Sequence, residues 1–292
     1  MQKSKNTAIL KYGLIAVLMC LIISIFVYFQ FFLNEPVFLK HYYELVIHEN
    51  SRINLHLITN SNDDRRILKI KFPQMPEDFA YMELDYFSIG NDGYLRSQKF
   101  AHYNYNELVL DVVSLYEEVE NNISEKSVVL EKAVIYYNNG DEQEVDIGKI
   151  VLHKNINRTD DLTSIFSKSS SNNTSDVSFK SKDNLIIDSI TSELDEDLGG
   201  VIELKMNDTD VSKLNYPINI SAGDSLNFES KFNFEPENAK KYNVYNIQKR
   251  ISLIDSKGNN ETKRILNLDY YPGELFRTER GIIQYLKEIG VR

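Results

Sequence analysis

A long, mostly apolar run without charge or proline occupies residues 12–33. At about 1.5 Å of rise per helical residue, a run of this length matches the roughly 30 Å hydrocarbon core of a bilayer. The pattern predicts a transmembrane helix over residues 12–33, with residues 1–11 as a short cytoplasmic flank.

The charges on either side of this run predict its orientation. Lys3, Lys5 and Lys11 precede the run, and the first charge after it is Glu35. Because lysine and arginine are retained on the cytoplasmic side, the N-terminus is expected inside and everything after Asn34 outside the plasma membrane. The lipid bilayer is therefore one expected partner, through residues 12–33.

A cleaved signal peptide or a lipoprotein signal is the alternative interpretation. A signal peptide has a shorter apolar core and a small-residue cleavage site, whereas here the apolar run continues to Leu33. The lipoprotein reading would use Cys20, but bulky Met19 precedes it and the apolar run continues far beyond it. The sequence therefore favours an uncleaved signal-anchor and a single-pass membrane protein.

Beyond the apolar run, hydrophobic and polar residues alternate with a period of two, which is typical of half-buried strands. The first group of predicted strands covers residues 43–47, 53–59, 67–72, 81–89, 107–113, 128–137 and 144–152. Asn139 and Gly140 separate the last two, and such a pair suits a tight hairpin turn. Short strands at regular spacing predict a first β-sandwich over residues 37–154.

A segment rich in serine, threonine, asparagine and aspartate follows at residues 155–182. It is predicted to be a linker that lets two domains reorient, since it offers little apolar surface to bury. A loop pinned by Ile165, Phe166 and Phe179 is the alternative. A second β-sandwich is expected over residues 183–272, with strands at 185–190, 201–206, 216–220, 226–234, 245–254 and 264–270.

The last predicted element is an amphipathic helix within residues 273–292. Apolar residues recur at helical spacing, Thr278 is a suitable N-cap and Gly290 a suitable stop. Its apolar stripe, which includes Ile282 and Leu286, either covers the protein's own core or docks on another membrane protein. The predicted fold is therefore all-β: an N-terminal transmembrane helix, two tandem immunoglobulin-like β-sandwich domains and a short C-terminal helix.

Charge and cysteine content exclude several classes of function. The chain carries a net charge of −10, and all three charged residues before Asn34 are lysines, so the external part carries −13. Such a surface repels phosphate backbones, so nucleic acid is not an expected partner. Cys20 is the only cysteine and lies in the apolar run, so no external disulfide can form. An external region without disulfides favours a Gram-positive bacterial surface.

The sequence offers three weak candidates for chemistry. Gly223-Asp224-Ser225 resembles an esterase block but lies in a predicted hairpin turn rather than on a strand-to-helix turn. A second candidate is a histidine group, and a third is a set of acidic turns that could bind calcium. The histidines are His41, His48 and His56, and the acidic residues are Asp195, Glu196, Asp197, Asp208 and Asp210. Neither set matches a complete ligand pattern, so no catalytic residue, metal site or cofactor is assigned.

An aromatic-rich stretch is the remaining candidate for binding. Tyrosines offer an apolar face with a polar tip, which suits contact with a protein or a sugar, although strands also use them to fill cores. The predicted binding surface consists of Tyr86, Tyr94, Tyr103 and Tyr105, together with Ile282 and Leu286.

These features favour a membrane-anchored extracellular protein that binds or scaffolds a membrane or envelope protein and is not an enzyme. One alternative is an adhesin-like or glycan-binding module that uses the aromatic stretch. Another is a cell-envelope hydrolase whose site is assembled from residues far apart in the chain.

Overall fold

The structure is a computed structural model, and it describes residues 2–47, 51–75, 81–82, 96–111, 127–153, 161–170, 174–235 and 237–292. Three α-helices are present in these ranges: α1 (Gln2–Phe31), α2 (Asp195–Leu198) and α3 (Glu279–Glu288). Single turns of 3₁₀ helix occur at Val211–Lys213, Ala239–Tyr242 and Pro272–Glu274.

The remainder is mostly β. The strands are β1 (Val37–Phe38), β2 (His41–Val46), β3 (Arg52–Asn60), β4 (Ile67–Lys71), β5 (Tyr81–Met82), β6 (Arg96–Lys99), β7 (Tyr103–Asp111), β8 (Ser127–Tyr137), β9 (Glu142–His153), β10 (Leu162–Ser170), β11 (Thr174–Ser181), β12 (Leu185–Thr191), β13 (Ile202–Met206), β14 (Thr209–Asp210), β15 (Ile218–Ile220), β16 (Ser225–Phe232), β17 (Val244–Ile247), β18 (Arg250–Ile254), β19 (Asn260–Arg264) and β20 (Leu268–Tyr270).

Helix α1 contains the predicted membrane span. Its segment Lys11–Phe31 is long and apolar enough to cross a bilayer; residues 11–30 are exposed, whereas Phe31 is half-buried against the β body. The helix ends at Phe31, two residues before the end of the predicted run. Leu33 has left the helix and is buried at 2% exposure in the main hydrophobic core.

Two sheets enclose the first hydrophobic core. Sheet A has the order β1-β3-β7-β6, and sheet B has the order β20-β17-β2-β9-β8-β4-β5. Alternate side chains of β3 and β7 meet those of β2, β8 and β9, which gives a sandwich-like arrangement. The hairpin predicted at Asn139 and Gly140 forms between β8 and β9, and Gly140 adopts the positive φ that its turn requires.

Two further sheets enclose a second core. Sheet C has the order β15-β12-β18-β19, and sheet D has the order β10-β11-β16-β13-β14. Buried residues such as Ile187 and Ile251 of sheet C share one hydrophobic cluster with Phe179 and Phe228 of sheet D. This second pair of sheets is also sandwich-like.

The segment predicted as a linker is largely strand. Within residues 155–182, β10 and β11 pair as an antiparallel ladder, and β11 continues into sheet D through β16. The linker prediction was wrong because the few apolar residues of this segment are enough to form strands. Val177 and Phe179 alternate with polar residues and are buried, and Leu162 is buried with them. Ile165 and Phe166, proposed to pin a loop, are instead exposed.

The boundary predicted at residue 183 does not separate the sheets. The strand predicted over residues 245–254 is two strands: β17 joins sheet B beside β2 in a parallel pairing, whereas β18 joins sheet C. Strand β20 also joins sheet B, through β17. A third hydrophobic cluster, which includes Val151, Leu198 and Phe232, packs the outer face of sheet B against residues of the second pair of sheets.

The C-terminal helix forms close to where the sequence predicts it. The side chain of Thr278 accepts a hydrogen bond from the Gly281 N–H, and Gly290 adopts a positive φ just beyond the helix end. Ile282 and Leu286 are fully buried in the first core. The apolar stripe of α3 therefore covers the protein's own core, the first of the two predicted options.

Candidate functional site

The C-terminal end of α1 is held to the β body by a pair of buried hydrogen bonds. The Asn60 side chain donates from Nδ2 to the Leu33 carbonyl at 2.7 Å, and its Oδ1 accepts from the Leu33 N–H at 2.9 Å. Asn60 is the last residue of β3 and is 6% exposed. One amide side chain thus satisfies both backbone groups of Leu33 and fixes where the chain leaves the helix.

Arg292 reinforces the same end of the helix. Its guanidinium donates to the Gln30 carbonyl at 2.6 Å and lies over the Phe31 ring, 4.2 Å from the ring centre. The last carbonyls of a helix lack partners within the helix, and the negative end of the helix dipole favours a cation there. Arg292 meets both requirements.

His102 links the helix end to α3. Its ring stacks on Phe31 with 4.2 Å between ring centres. The backbone N–H of His102 donates to a Glu279 carboxylate oxygen at 2.6 Å, and the ring Nδ1 lies 3.1 Å from the same oxygen. We call residues 30–33 with Asn60, His102, Glu279 and Arg292 the helix junction.

A cleft of about 530 Å³ opens beside the helix junction. Its apolar wall includes Phe32, Val37 and Val291, and its polar wall includes the carboxylates of Glu35 and Asp146. Asp146 forms an ion pair with Lys40 at 2.5 Å, with both side chains exposed. The cleft therefore combines apolar side chains with charged ones.

A second notable site is a buried charged cluster between sheets B and C. The Glu44 carboxylate, on β2, is fully buried and accepts hydrogen bonds from Arg250 at 2.6 Å and from the Ser192 hydroxyl. The His153 Nε2 atom lies 3.1 Å from the same carboxylate. Glu44 and His153 come from sheet B, whereas Arg250 begins β18 of sheet C, so the cluster joins the two pairs of sheets.

The environment of Glu44 keeps its carboxylate ionised. Burial alone raises the pKa of Glu44, but hydrogen bonds from His153 and Ser192 and the charge of Arg250 outweigh burial, so the pKa is lowered. The Ser192 hydroxyl donates to the Glu44 carboxylate and accepts from the Leu194 N–H, so it forms part of the hydrogen bonding around this buried charge. This cluster is suited to holding the sheets together.

The described histidines of the predicted metal group, His41 and His56, are buried core residues, and the Nε2 atom of His56 has no hydrogen-bond partner among the described residues. The His41 Nε2 atom accepts from the His56 backbone N–H at 2.9 Å, and its Nδ1 lies 3.3 Å from the Ile147 carbonyl. Burial lowers the pKa of His41 well below its usual value, and burial together with Arg96 lowers the pKa of His56 to about 4. Both rings are therefore neutral near pH 7. His48 lies outside the described residues.

Two of the five acidic residues considered for calcium are paired with lysines, and a third, Asp210, accepts hydrogen bonds from Ser212. Asp195 pairs with Lys249, and Asp197 pairs with Lys149 at 3.0 Å. In the described part of the chain, the carboxylates of Asp161, Asp255 and Glu261 converge within 4.8 Å of one another. Sequence reasoning missed this group because its members lie on different strands and turns.

The predicted binding surface is only partly described. Tyr86 and Tyr94 lie outside the described residues. Tyr103 is fully buried, and Tyr105 is half-buried with its hydroxyl 2.9 Å from the His56 Nδ1. Ile282 and Leu286 are also fully buried, so Tyr103, Ile282 and Leu286 were wrongly predicted to form an exposed surface, because alternation and helical spacing alone do not say which face is covered.

No protein-family model matches this chain, and no curated protein matches it. Among solved structures, the chain is similar to the D00-D0 domain of intimin at 10% identity and a TM-score of 0.21, covering 81% of this chain and 99% of that one. It is also similar to titin domains z1z2 in complex with telethonin, at 9% identity and a TM-score of 0.21, covering 79% of this chain and 95% of that one. At these TM-scores, neither structure bears on the fold or the function of this chain.

Proposed function

We propose that this protein is a non-catalytic, membrane-anchored scaffold that holds its β body at the outer surface of the plasma membrane and binds a membrane or envelope protein there. The observation that supports this most directly is the helix junction. Asn60 and Arg292 fasten the outer end of α1 to the body, with no intervening spacer. A body fastened in this way stays next to its membrane neighbours.

The helix junction favours a scaffold over an adhesin. An adhesin works by reaching away from its own membrane, which a long or flexible stalk serves better than a short, hydrogen-bonded connection. Here Leu33 enters the hydrophobic core directly after the helix ends at Phe31. Since Tyr103 is buried, it adds nothing to a glycan-binding surface.

Cross-linking in intact cells followed by mass spectrometry tests the proposal. The full chain should recover one reproducible membrane or envelope protein. The variants Asn60→Ala and Arg292→Ala should recover less of it because the body is no longer held at the helix end. Asn219→Ala, which changes an exposed asparagine of β15, is the matched control and should behave like the wild type. Recovery of no specific partner under several conditions would contradict the proposal.

Protease treatment of intact cells tests the orientation separately. Residues after Asn34 should be digested while a tag placed before Lys3 remains intact. Protection of the β body would show that the opposite orientation is correct.

A further inference from the structure

Three exposed apolar side chains lie in the helix junction or in the chain segment next to it. Phe32, Ile289 and Val291 are 42%, 40% and 49% exposed, respectively. Phe32 and Val291 line the same cleft, and Ile289 is two residues from Val291. Arg292, the next residue, is hydrogen-bonded to Gln30 of α1, so this tail is held at the outer end of the helix.

The length of α1 indicates where that end lies. The apolar segment Lys11–Phe31 has 21 residues. At about 1.5 Å per residue it spans roughly the 30 Å hydrocarbon core, so Phe31 reaches the outer boundary when Lys11 remains at the inner headgroups. Residues fastened beside Phe31 are then at the depth where headgroups meet acyl chains.

We infer that Phe32, Ile289 and Val291 form a membrane-contact face that inserts into the outer leaflet beside α1, with a zwitterionic phospholipid as its ligand. The inference rests on the proposed function, since it requires α1 to cross a bilayer. Apolar side chains at the headgroup boundary insert by about 5–10 Å, which a face continuous with the helix end permits. The face contacts the glycerol region and the upper part of the acyl chains.

The charges near this face select the lipid class. Glu35 and Asp146 line the cleft, and Lys40 neutralises only Asp146. The guanidinium of Arg292 is directed at Gln30 and Phe31 of the helix end. Two carboxylates and two cations therefore lie near the face and balance in charge, which fits a headgroup that carries both a cationic and an anionic group.

The absence of tryptophan from the chain makes the inference directly testable. Val291→Trp places a single indole on the membrane-contact face of the full chain, which is reconstituted into phosphatidylcholine vesicles. Bromine atoms on the upper part of the acyl chains should roughly halve its fluorescence, because residues at the headgroup boundary lie within their reach. Ile289→Trp should respond in the same way and covers the case in which Val291→Trp fails to fold.

Two controls separate the possible outcomes. Ile165→Trp replaces an exposed residue of β10 and should not be quenched, whereas Met19→Trp lies within the apolar helix and should be quenched by deeply placed bromines. If Val291→Trp and Ile289→Trp are quenched no more than Ile165→Trp while Met19→Trp is quenched, the membrane-contact face is wrong and the anchor remains. If Met19→Trp is not quenched, the anchor itself is wrong. Stronger quenching in vesicles containing phosphatidylglycerol would overturn the assigned lipid class.

Discussion

Gly148 of β9 lies so close to His41 of β2 that a β carbon on Gly148 would be 2.4 Å from the His41 carbonyl oxygen and 2.6 Å from the His41 nitrogen. The two residues are partners in the parallel pairing of β2 with β9. Gly148 also has a φ of +91°, a conformation that other residues rarely adopt. Only glycine therefore allows the two backbones to approach at this point.

Gly148→Ala should destabilise the protein for two reasons: alanine is strained at a positive φ, and its β carbon would clash with the His41 backbone. Gly140→Ala is the matched control, because Gly140 has a φ of +90° with nothing within 4 Å of an added β carbon. The clash should cost Gly148→Ala a further amount of about 1–3 kcal/mol in free energy of unfolding. Thermal unfolding followed by circular dichroism measures both variants, and equal losses would show that the close approach is unimportant.

Asn60→Ala should loosen the connection between α1 and the body. The Leu33 N–H and carbonyl would lose their side-chain partners while remaining buried, which costs about 1–3 kcal/mol for each unsatisfied group. Limited proteolysis should then cut faster at residues 31–36, and the melting temperature should fall. Asn219→Ala should leave both properties as in the wild type. Unchanged cleavage in Asn60→Ala would mean that other contacts hold the helix junction.

Arg250→Met should strongly destabilise the protein. It removes the 2.6 Å contact from Glu44, whose carboxylate is fully buried. Breaking a buried ion pair from one side typically costs about 3–5 kcal/mol. The double variant Arg250→Met with Glu44→Gln should recover part of this loss, since it leaves no buried charge without its partner. A double variant no more stable than Arg250→Met would contradict this account.

The Glu44 cluster should also contribute to acid sensitivity. The pKa of Glu44 in the folded protein is below its ordinary value of 4.5. Its contribution to stability is therefore present above about pH 4.5 and is lost as the pH falls through the lower folded value. The difference in stability between the wild type and Glu44→Gln, measured by urea unfolding, should shrink below this pH. A difference that stays constant down to pH 3 would show that folding does not lower the pKa of Glu44.

Because of His56, the stability of the protein should decrease as the pH is lowered from neutral to about 4. Burial lowers its pKa from 6.5 to about 4, so the unfolded chain binds a proton in this range while the folded protein does not. The stability present above pH 6.5 is therefore lost as the pH falls, by up to about 3 kcal/mol for a shift of this size. His56→Leu should be less stable at pH 7.5, having lost the contact with Tyr105, but should show a shallower decline between pH 6.5 and pH 4. If the stability of His56→Leu declines as steeply as that of the wild type, titratable groups other than His56 cause the pH dependence.

Alternation along the chain predicted most of the described strands, because burial on one face imposes a period of two. Prediction from alternation failed where a strand is buried on both faces, or where one predicted strand is two strands in different sheets. Val151 lies on the face of β9 opposite Ile150, yet both residues are buried, since the second pair of sheets covers the outer face of sheet B. The uninterrupted run Ile150-Val151-Leu152 was the available signal, because strands covered on both faces lack alternation.

The sites were less predictable than the strands. Glu44 meets Ser192 and Arg250, which are separated from it by 148 and 206 positions in the chain. Asn60 is 27 positions from Leu33 and Arg292 is 262 positions from Gln30, and neither belongs to a motif. Their roles depend on how the sheets meet, which local pattern does not specify.

The parallel pairing of β17 with β2 has a consequence for biosynthesis. His41 of β2 is made early, but its neighbour Val244 is made only after both pairs of sheets have received most of their strands. Domains usually begin to fold as they emerge from the ribosome, yet sheet B cannot be completed until nearly the whole chain has been translated. During that time one edge of β2 has unpaired backbone groups. Until β17 is made, that edge is open to pairing with a strand of another chain.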